Sequence, residues 1–119
     1  MKKGDHIDKP WGWEEILELN EKYCIKHLFI EQGKRLSQQY HQCKIETLML
    51  ISGSCDVTWG MNADERVEAM VSFKLYPVMP GVIHRIRGTG SEGALILEIS
   101  TTELDDVIRL DDDYGRVGI

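Results

Sequence analysis

Thr47-Leu-Met-Leu-Ile51 is a continuous apolar run that Ser52-Gly53 stops, and Cys55-Asp-Val-Thr-Trp59 resumes with apolar and polar residues in alternation. The two stretches read as a buried strand and its hairpin partner. Towards the N-terminus, Glu14 to Leu19 and Tyr23 to Ile30 read as strands split by the turn-like Asn20-Glu21-Lys22, and Leu36 to His41 as another. The stretch Tyr-Cys-Ile-Lys-His-Leu-Phe-Ile30 is rich in β-branched and aromatic residues and has the length of a strand. Towards the C-terminus, Val67 to Leu75 is strand-like and Tyr76 to Gly81 is a Pro/Gly corner. Ile83 to Arg87 and Ala94 to Ser100 complete the pattern around Gly88-Thr-Gly90. Eight or nine short strands with turn signals between them predict an all-β sandwich or barrel. Only Thr102 to Leu110 is expected to form a short helix, with Thr101 or Thr102 as its cap.

The bulk numbers narrow the function classes. A chain of 119 residues suits a single domain, 1–119, and 42% hydrophobic with 29% charged residues is the balance of a folded soluble protein. A formal charge of −6 argues against a nucleic-acid partner, which needs a basic face. No apolar stretch is long enough for a membrane helix, and the start lacks the apolar core of a secretory signal. Cys24, Cys43 and Cys55 are odd in number and irregularly spaced, which predicts reduced thiols and a cytoplasmic location.

Chemistry concentrates in two places. Gly33-Lys-Arg-Leu-Ser-Gln-Gln-Tyr-His41-Gln-Cys43-Lys-Ile-Glu46 carries an imidazole, a thiol and a carboxylate, and Pro77-Val-Met-Pro80-Gly81-Val-Ile-His84 brings a second imidazole behind a corner. Residues two apart on a strand share a face, so His41 and Cys43 point together. Glu46 is an odd offset from both and joins them only if the chain bends near Lys44-Ile45. Beyond the bend, Glu46, Leu48 and Leu50 share one face. Imidazole, thiolate and carboxylate suit a borderline divalent metal, and the sulfur favours zinc. His6 and His27 have no partners at ligand spacing, and Cys24 and Cys55 read as small buried hydrophobes. Trp11, Trp13 and Trp59 read as core or interface plugs, and Asp111-Asp-Asp113 as a solvated face.

With Gly-x7-His-x-Cys-x2-Glu-x6-Gly followed by Pro-Gly-x2-His, the chain resembles the cupin superfamily. More narrowly it resembles the type II mannose-6-phosphate isomerase cupin domain, which usually ends a bifunctional isomerase/mannose-1-phosphate guanylyltransferase and also occurs alone. Lys9-Pro-Trp-Gly, Arg35-Leu-Ser-Gln-Gln-Tyr-His41, Ser52-Gly53, Gly81-Val-Ile-His84-Arg85 and Asp112-Asp-Tyr-Gly-Arg116 match that family's pattern in register. The resemblance implies a cupin-type double-stranded β-helix, a small jelly-roll barrel with a short C-terminal helix or tail. It implies one divalent metal on His41, Cys43, Glu46 and His84, zinc favoured, with manganese, iron, cobalt and nickel as alternatives. Two departures stand out: the family generally has His at the place of Cys43, and Met79 holds its usual second-motif proline place.

The implied reaction interconverts mannose 6-phosphate and fructose 6-phosphate through an enediol, which needs a Lewis acid, a base and a cation for phosphate. Gln39 shares a face with His41 and is placed to contact substrate hydroxyls. Glu98, the one charge in Leu95-Ile-Leu-Glu-Ile99, is a candidate base or a partner to the ligands, since an isolated buried carboxylate is costly. Arg35 and Arg116 are candidate phosphate contacts. The competing reading is a non-catalytic cupin module that binds a sugar or sugar phosphate. Another cupin enzyme, an epimerase or a dioxygenase, is the third. Apolar residues on both faces of Tyr23 to Ile30 and Thr47 to Ile51 fit a sheet covered on both sides, which predicts a homodimer.

Overall fold

Side-chain alternation along the strands fixes both layers of the molecule. In the computed structural model, which describes residues 1–118, the strands are β1 (His6–Lys9), β2 (Gly12–Leu19), β3 (Cys24–Ile30), β4 (Gln38–Tyr40), β5 (Glu46–Gly53), β6 (Cys55–Trp59), β7 (Arg66–Ala69), β8 (Leu75–Val78), β9 (His84–Gly88), β10 (Ala94–Ser100) and β11 (Ile108–Asp111). One sheet runs β1-β2-β3-β10-β5-β8 and the other β11-β4-β9-β6-β7, facing each other across a shared core without closing into a continuous barrel. The expected all-β fold is present, with more and shorter strands than the sequence pattern resolves.

Two local expectations are overturned. β5 and β6 are not hairpin partners: β5 pairs with β10 and β8, while β6 pairs with β9 and β7. Ser52-Gly53-Ser54 is therefore a corner between sheets. It lets Leu48 and Leu50 face Val57 and Trp59 across the core instead of lying beside them. Gly53 makes the corner at φ +79°, where a Cβ would run into the Gly93 carbonyl, so only glycine fits. The tail forms no helix either. Residues 102–107 are turns and loop, and β11 pairs with β4. Among the described residues the sole helical turn is a 3-10 turn at Asn62–Asp64.

The inner face of the larger sheet changes character along its strands. Register pairs Ala94 with Ile30 and Ile96 with Leu28 and Leu50, giving a dry end. Each of these leucines and isoleucines contributes about 1.5–3 kcal/mol by burial. Two residues further along, Glu98 lies opposite Lys26 and Leu48, and Ser100 opposite Cys24 and Glu46, all buried. The charged end is where the two sheets open. Cys24 and Cys55 are buried as expected. Outside, Ile25, Phe29, Met49, Ile51, Leu95 and Leu97 leave that sheet's outer face apolar and half-buried. Among the described residues no helix is long and apolar enough to cross a membrane.

Candidate metal centre

At the charged end, His41 follows β4, Glu46 begins β5 and His84 begins β9. The Pro80-Gly81 corner binds the two motifs together, because the Gly81 N–H donates to the His41 carbonyl at 2.8 Å. Both Nε2 atoms lie 3.2 Å from one oxygen, Glu46 Oε1. Each ring is oriented from behind by a backbone carbonyl: His41 Nδ1 sits 2.6 Å from Asp106 O and His84 Nδ1 2.9 Å from Val82 O. A carbonyl accepts only, so each Nδ1 donates to it and each Nε2 turns inward to Glu46, where it would give its lone pair to an ion once any proton on it is lost. The three donor atoms lie within 4.8 Å of one another and all three residues are buried. Two imidazole nitrogens and one carboxylate oxygen fit a divalent ion such as manganese, iron, cobalt, nickel or zinc. The other carboxylate oxygen, Glu46 Oε2, is buried without a directed hydrogen bond.

The chain bends between His41 and Glu46, as their odd spacing requires, but the bend turns Lys44 inward and not Cys43. Cys43 is exposed and outside the donor group. With it goes the sulfur that favoured zinc. The cause lies in the tail: the Asp106 carboxylate accepts the N–H groups of Gln42, Cys43 and Lys44 at 3.0, 2.7 and 2.9 Å. A carboxylate that caps three consecutive amides fixes a tight turn and ends the strand alternation that would have kept Cys43 beside His41. The same three donors hold the Asp106 carboxyl below its usual range. A depressed acid stabilises the fold above its unfolded pKa and loses that contribution as pH falls through the folded one. Asp106→Ala is therefore expected to cost about 2 kcal/mol at pH 7. The wild type's advantage over Asp106→Asn should shrink below about pH 4 in urea unfolding. An advantage constant with pH would mean the carboxylate's charge is not what holds the turn.

Lys44 is 3.3 Å from Glu46 Oε2 and 3.4 Å from Glu98 Oε2, with all three side chains buried. Burial opposes the Lys44 charge, but Glu98 and Glu46 outweigh it and its pKa is raised. Burial likewise opposes the Glu46 charge, yet hydrogen bonds from His41 and His84 and the Lys44 charge hold it well below the carboxylate range. Glu98 behaves oppositely: burial, reinforced by the Glu46 charge, pushes it up to about 7. Two neighbouring carboxylates are thus driven apart in acidity.

A cleft of about 330 Å³ opens over this group, lined by Gln39, His41, Lys44, Glu98, Arg109 and Arg116 among others. Its volume is that of a small-ligand site. Ser37 Oγ donates to Gln39 Oε1 at 2.7 Å, which leaves the Gln39 amide N–H groups for the cleft. Arg116 reaches the cleft while Asp112 holds it at 2.9 Å through both Nε and Nη2. Arg35 does not line the cleft: it grips Asp113 through Nε at 2.7 Å and Nη2 at 2.8 Å. Residues 35–37 precede the regular strand, so parity counted back from His41 does not reach Arg35. The acidic run is likewise more than a solvated face, since Asp111, Asp112 and Asp113 pair with Arg85, Arg116 and Arg35. Sequence reasoning missed Lys44, Asp106 and Arg109. Of these, only Arg109 carried a local signal, a lone cation in the otherwise apolar Val107-Ile-Arg-Leu110.

The family model described as mannose-6-phosphate isomerase C-terminal matches residues 1–112. The chain belongs to that family. Within the cupins it resembles the xanthan biosynthesis protein XanB of Xanthomonas campestris pv. campestris, at 27% identity over 113 residues, 92% of this chain and 23% of the relative. The mannose-1-phosphate guanylyltransferase ManC of Salmonella typhimurium is 29% identical over 114 residues, 93% of this chain and 23% of the relative. This cupin domain therefore spans under a quarter of the length of such relatives. Among solved structures, Bacillus subtilis oxalate decarboxylase superposes with a TM-score of 0.75 at 17% identity over 90% of this chain and 30% of its own. CapF of Staphylococcus aureus gives 0.75 at 14% identity over 90% and 31%. These show the cupin fold. The oxalate decarboxylase is described with Mn(II) centres.

Proposed function

We propose that this cupin domain is a metal-dependent aldose–ketose isomerase for a sugar phosphate, mannose 6-phosphate and fructose 6-phosphate being the pair its family points to. One observation carries the reading. His41 of the two-imidazole, one-carboxylate donor group lines the cleft beside a second carboxyl, Glu98, pushed up to about 7, while Glu46 and His84 line a small pocket that also touches Gln39 and Glu98. His41, Glu46 and His84 would hold the ion, which when bound supplies the positive charge that polarises a carbonyl.

The chain's own groups do the rest. Glu98 takes the proton from C2 of the aldose and returns it to C1, the task of a carboxylate whose pKa lies near the working pH. Lys44 keeps its proton and balances the negative charge that develops on the substrate oxygens. Gln39 donates from its amide nitrogen to a sugar hydroxyl. A specific feature favours the binding-module reading instead: Lys44 already gives Glu46 a built-in cation at 3.3 Å. The test is metal content by mass spectrometry, followed by a coupled assay of mannose 6-phosphate turnover after reloading with manganese or zinc. About one equivalent of metal with turnover supports the isomerase. A domain that binds the sugar phosphate, takes up no metal and turns nothing over is a binding module.

A further inference from the structure

We infer that Arg109, with Arg116 beside it, is the anchor for the substrate's phosphate, and that the row Arg109–Gln39–His84 sets how the sugar lies in the cleft. The inference deepens the isomerase reading and rests on it for the identity of the sugar. Of the cations lining the cleft, Lys9 and Lys26 face Glu14, Lys44 lies between Glu46 and Glu98, and Arg116 is bound to Asp112. Among the described residues Arg109 alone of these has no ion pair, and its Nε is buried without a hydrogen-bond acceptor. Arg109 is half-buried and lines the cleft, so a guanidinium held by no carboxylate among the described residues is available to an anionic oxygen there. The nearby acidic groups do not fill it. Asp112 is engaged by Arg116 and Asp106 by three backbone amides, while Asp105 at the cleft edge is exposed and pairs with neither arginine. Two guanidiniums beside one carboxylate leave a net positive charge there.

Register supplies the second argument. Arg109 on β11 lies directly opposite Gln39 on β4, and Gln39 lies directly opposite His84 on β9. Cross-strand partners project to the same face of a sheet, so guanidinium, amide and imidazole form one line across three adjacent strands. Two interstrand steps separate its ends by about 10 Å. An open-chain hexose 6-phosphate has that order of length from C1 to phosphorus. With the phosphate on Arg109 and Arg116, the chain of hydroxyls passes Gln39 and the C1–C2 end arrives at His84, Glu46 and Glu98. The row selects for a terminal phosphate remote from the reacting carbons. It disfavours a sugar 1-phosphate, which would place its charge at the wrong end.

The test uses mannitol 6-phosphate, which cannot isomerise, and mannitol as the uncharged control, both measured by calorimetry on the purified protein. Wild type should prefer the phosphate by at least about tenfold, and Arg109→Gln should lose most of that preference while mannitol binding stays the same. Arg109→Lys, which keeps a charge but not the fork, should fall between them, and thermal melts of both variants report folding. Equal preference in Arg109→Gln and wild type would overturn the inference, as would a wild type that does not discriminate. A wild type that binds through Arg109 but never turns over mannose 6-phosphate would support the anchor and remove the isomerase.

Discussion

Replacing Lys44 with methionine is expected to destabilise the metal-free protein by about 3–5 kcal/mol while tightening its hold on a divalent ion. The ammonium lies between two buried carboxylates, 3.3 Å from Glu46 and 3.4 Å from Glu98, in space that water does not reach freely. Methionine fills comparable volume but leaves two carboxyls facing each other, and like charges so placed cannot both ionise cheaply. In the variant Glu98 would take up a proton to relieve this. Its folded pKa, already raised to about 7, would then rise further. A raised acid stabilises the fold below its unfolded pKa and loses that contribution as pH climbs to the folded one. Wild-type Glu98 loses its own contribution up to about pH 7 as well, so the cost of Lys44→Met should grow only from about pH 7 upward, where the variant alone still holds the proton.

A metal ion reverses the balance. Without the neighbouring positive charge, Glu46 is a better partner for a cation, so the variant should bind manganese more tightly. Saturating metal should restore about 2–3 kcal/mol of the lost stability through linkage. Urea unfolding with chelator and with manganese, at two pH values, reads all of this. The double variant Lys44→Met/Glu98→Gln should recover much of the loss, because one of the two facing charges is gone. A single variant as stable as wild type in chelator, at both pH values, would show that Lys44 is not the charge that keeps Glu46 and Glu98 together.

What the sequence disclosed and what it hid divide along local and long-range lines. Apolar runs marked β3, β5 and β10 as strands, and the two-residue period put Glu46, Leu48 and Leu50 on one face, but apolar residues on both parities left the inner face of β3 undecided. The odd spacing of His41 and Glu46 also disclosed a bend between them. Which side chain the bend turned inward was not legible, since the capping carboxylate comes from Asp106, more than sixty residues away. The same remoteness hid the ion pair of Arg35 with Asp113 and the pairing of Arg109 with Gln39. The corner at Gly53 failed for a different reason. A two-strand apolar run with a glycine between is equally compatible with a hairpin and with a crossing between sheets, and only the partners β10 and β9 decide it.

Glu98→Gln should lower turnover by about 10²–10⁴-fold with metal content and fold retained. The glutamine keeps the shape and one acceptor oxygen, so Lys44 retains a neutral partner there and its full charge pairing with Glu46. What is lost is a group able to hold a proton between two carbons. That distinction separates a base from a mere partner of Lys44. If Glu98 carries the proton, the appearance of solvent deuterium in the sugar during turnover in heavy water should fall together with the rate. If Glu98 only steadies Lys44, both the turnover of the variant and its deuterium uptake should lie within a few fold of wild type. The latter outcome would move the proton transfer to another group in the cleft. Metal content measured on the same samples keeps the reading clean, because a variant that had lost its ion through Glu46 would be slow for an unrelated reason. A variant loaded like wild type, folded, and slow in both turnover and exchange leaves Glu98 as the base.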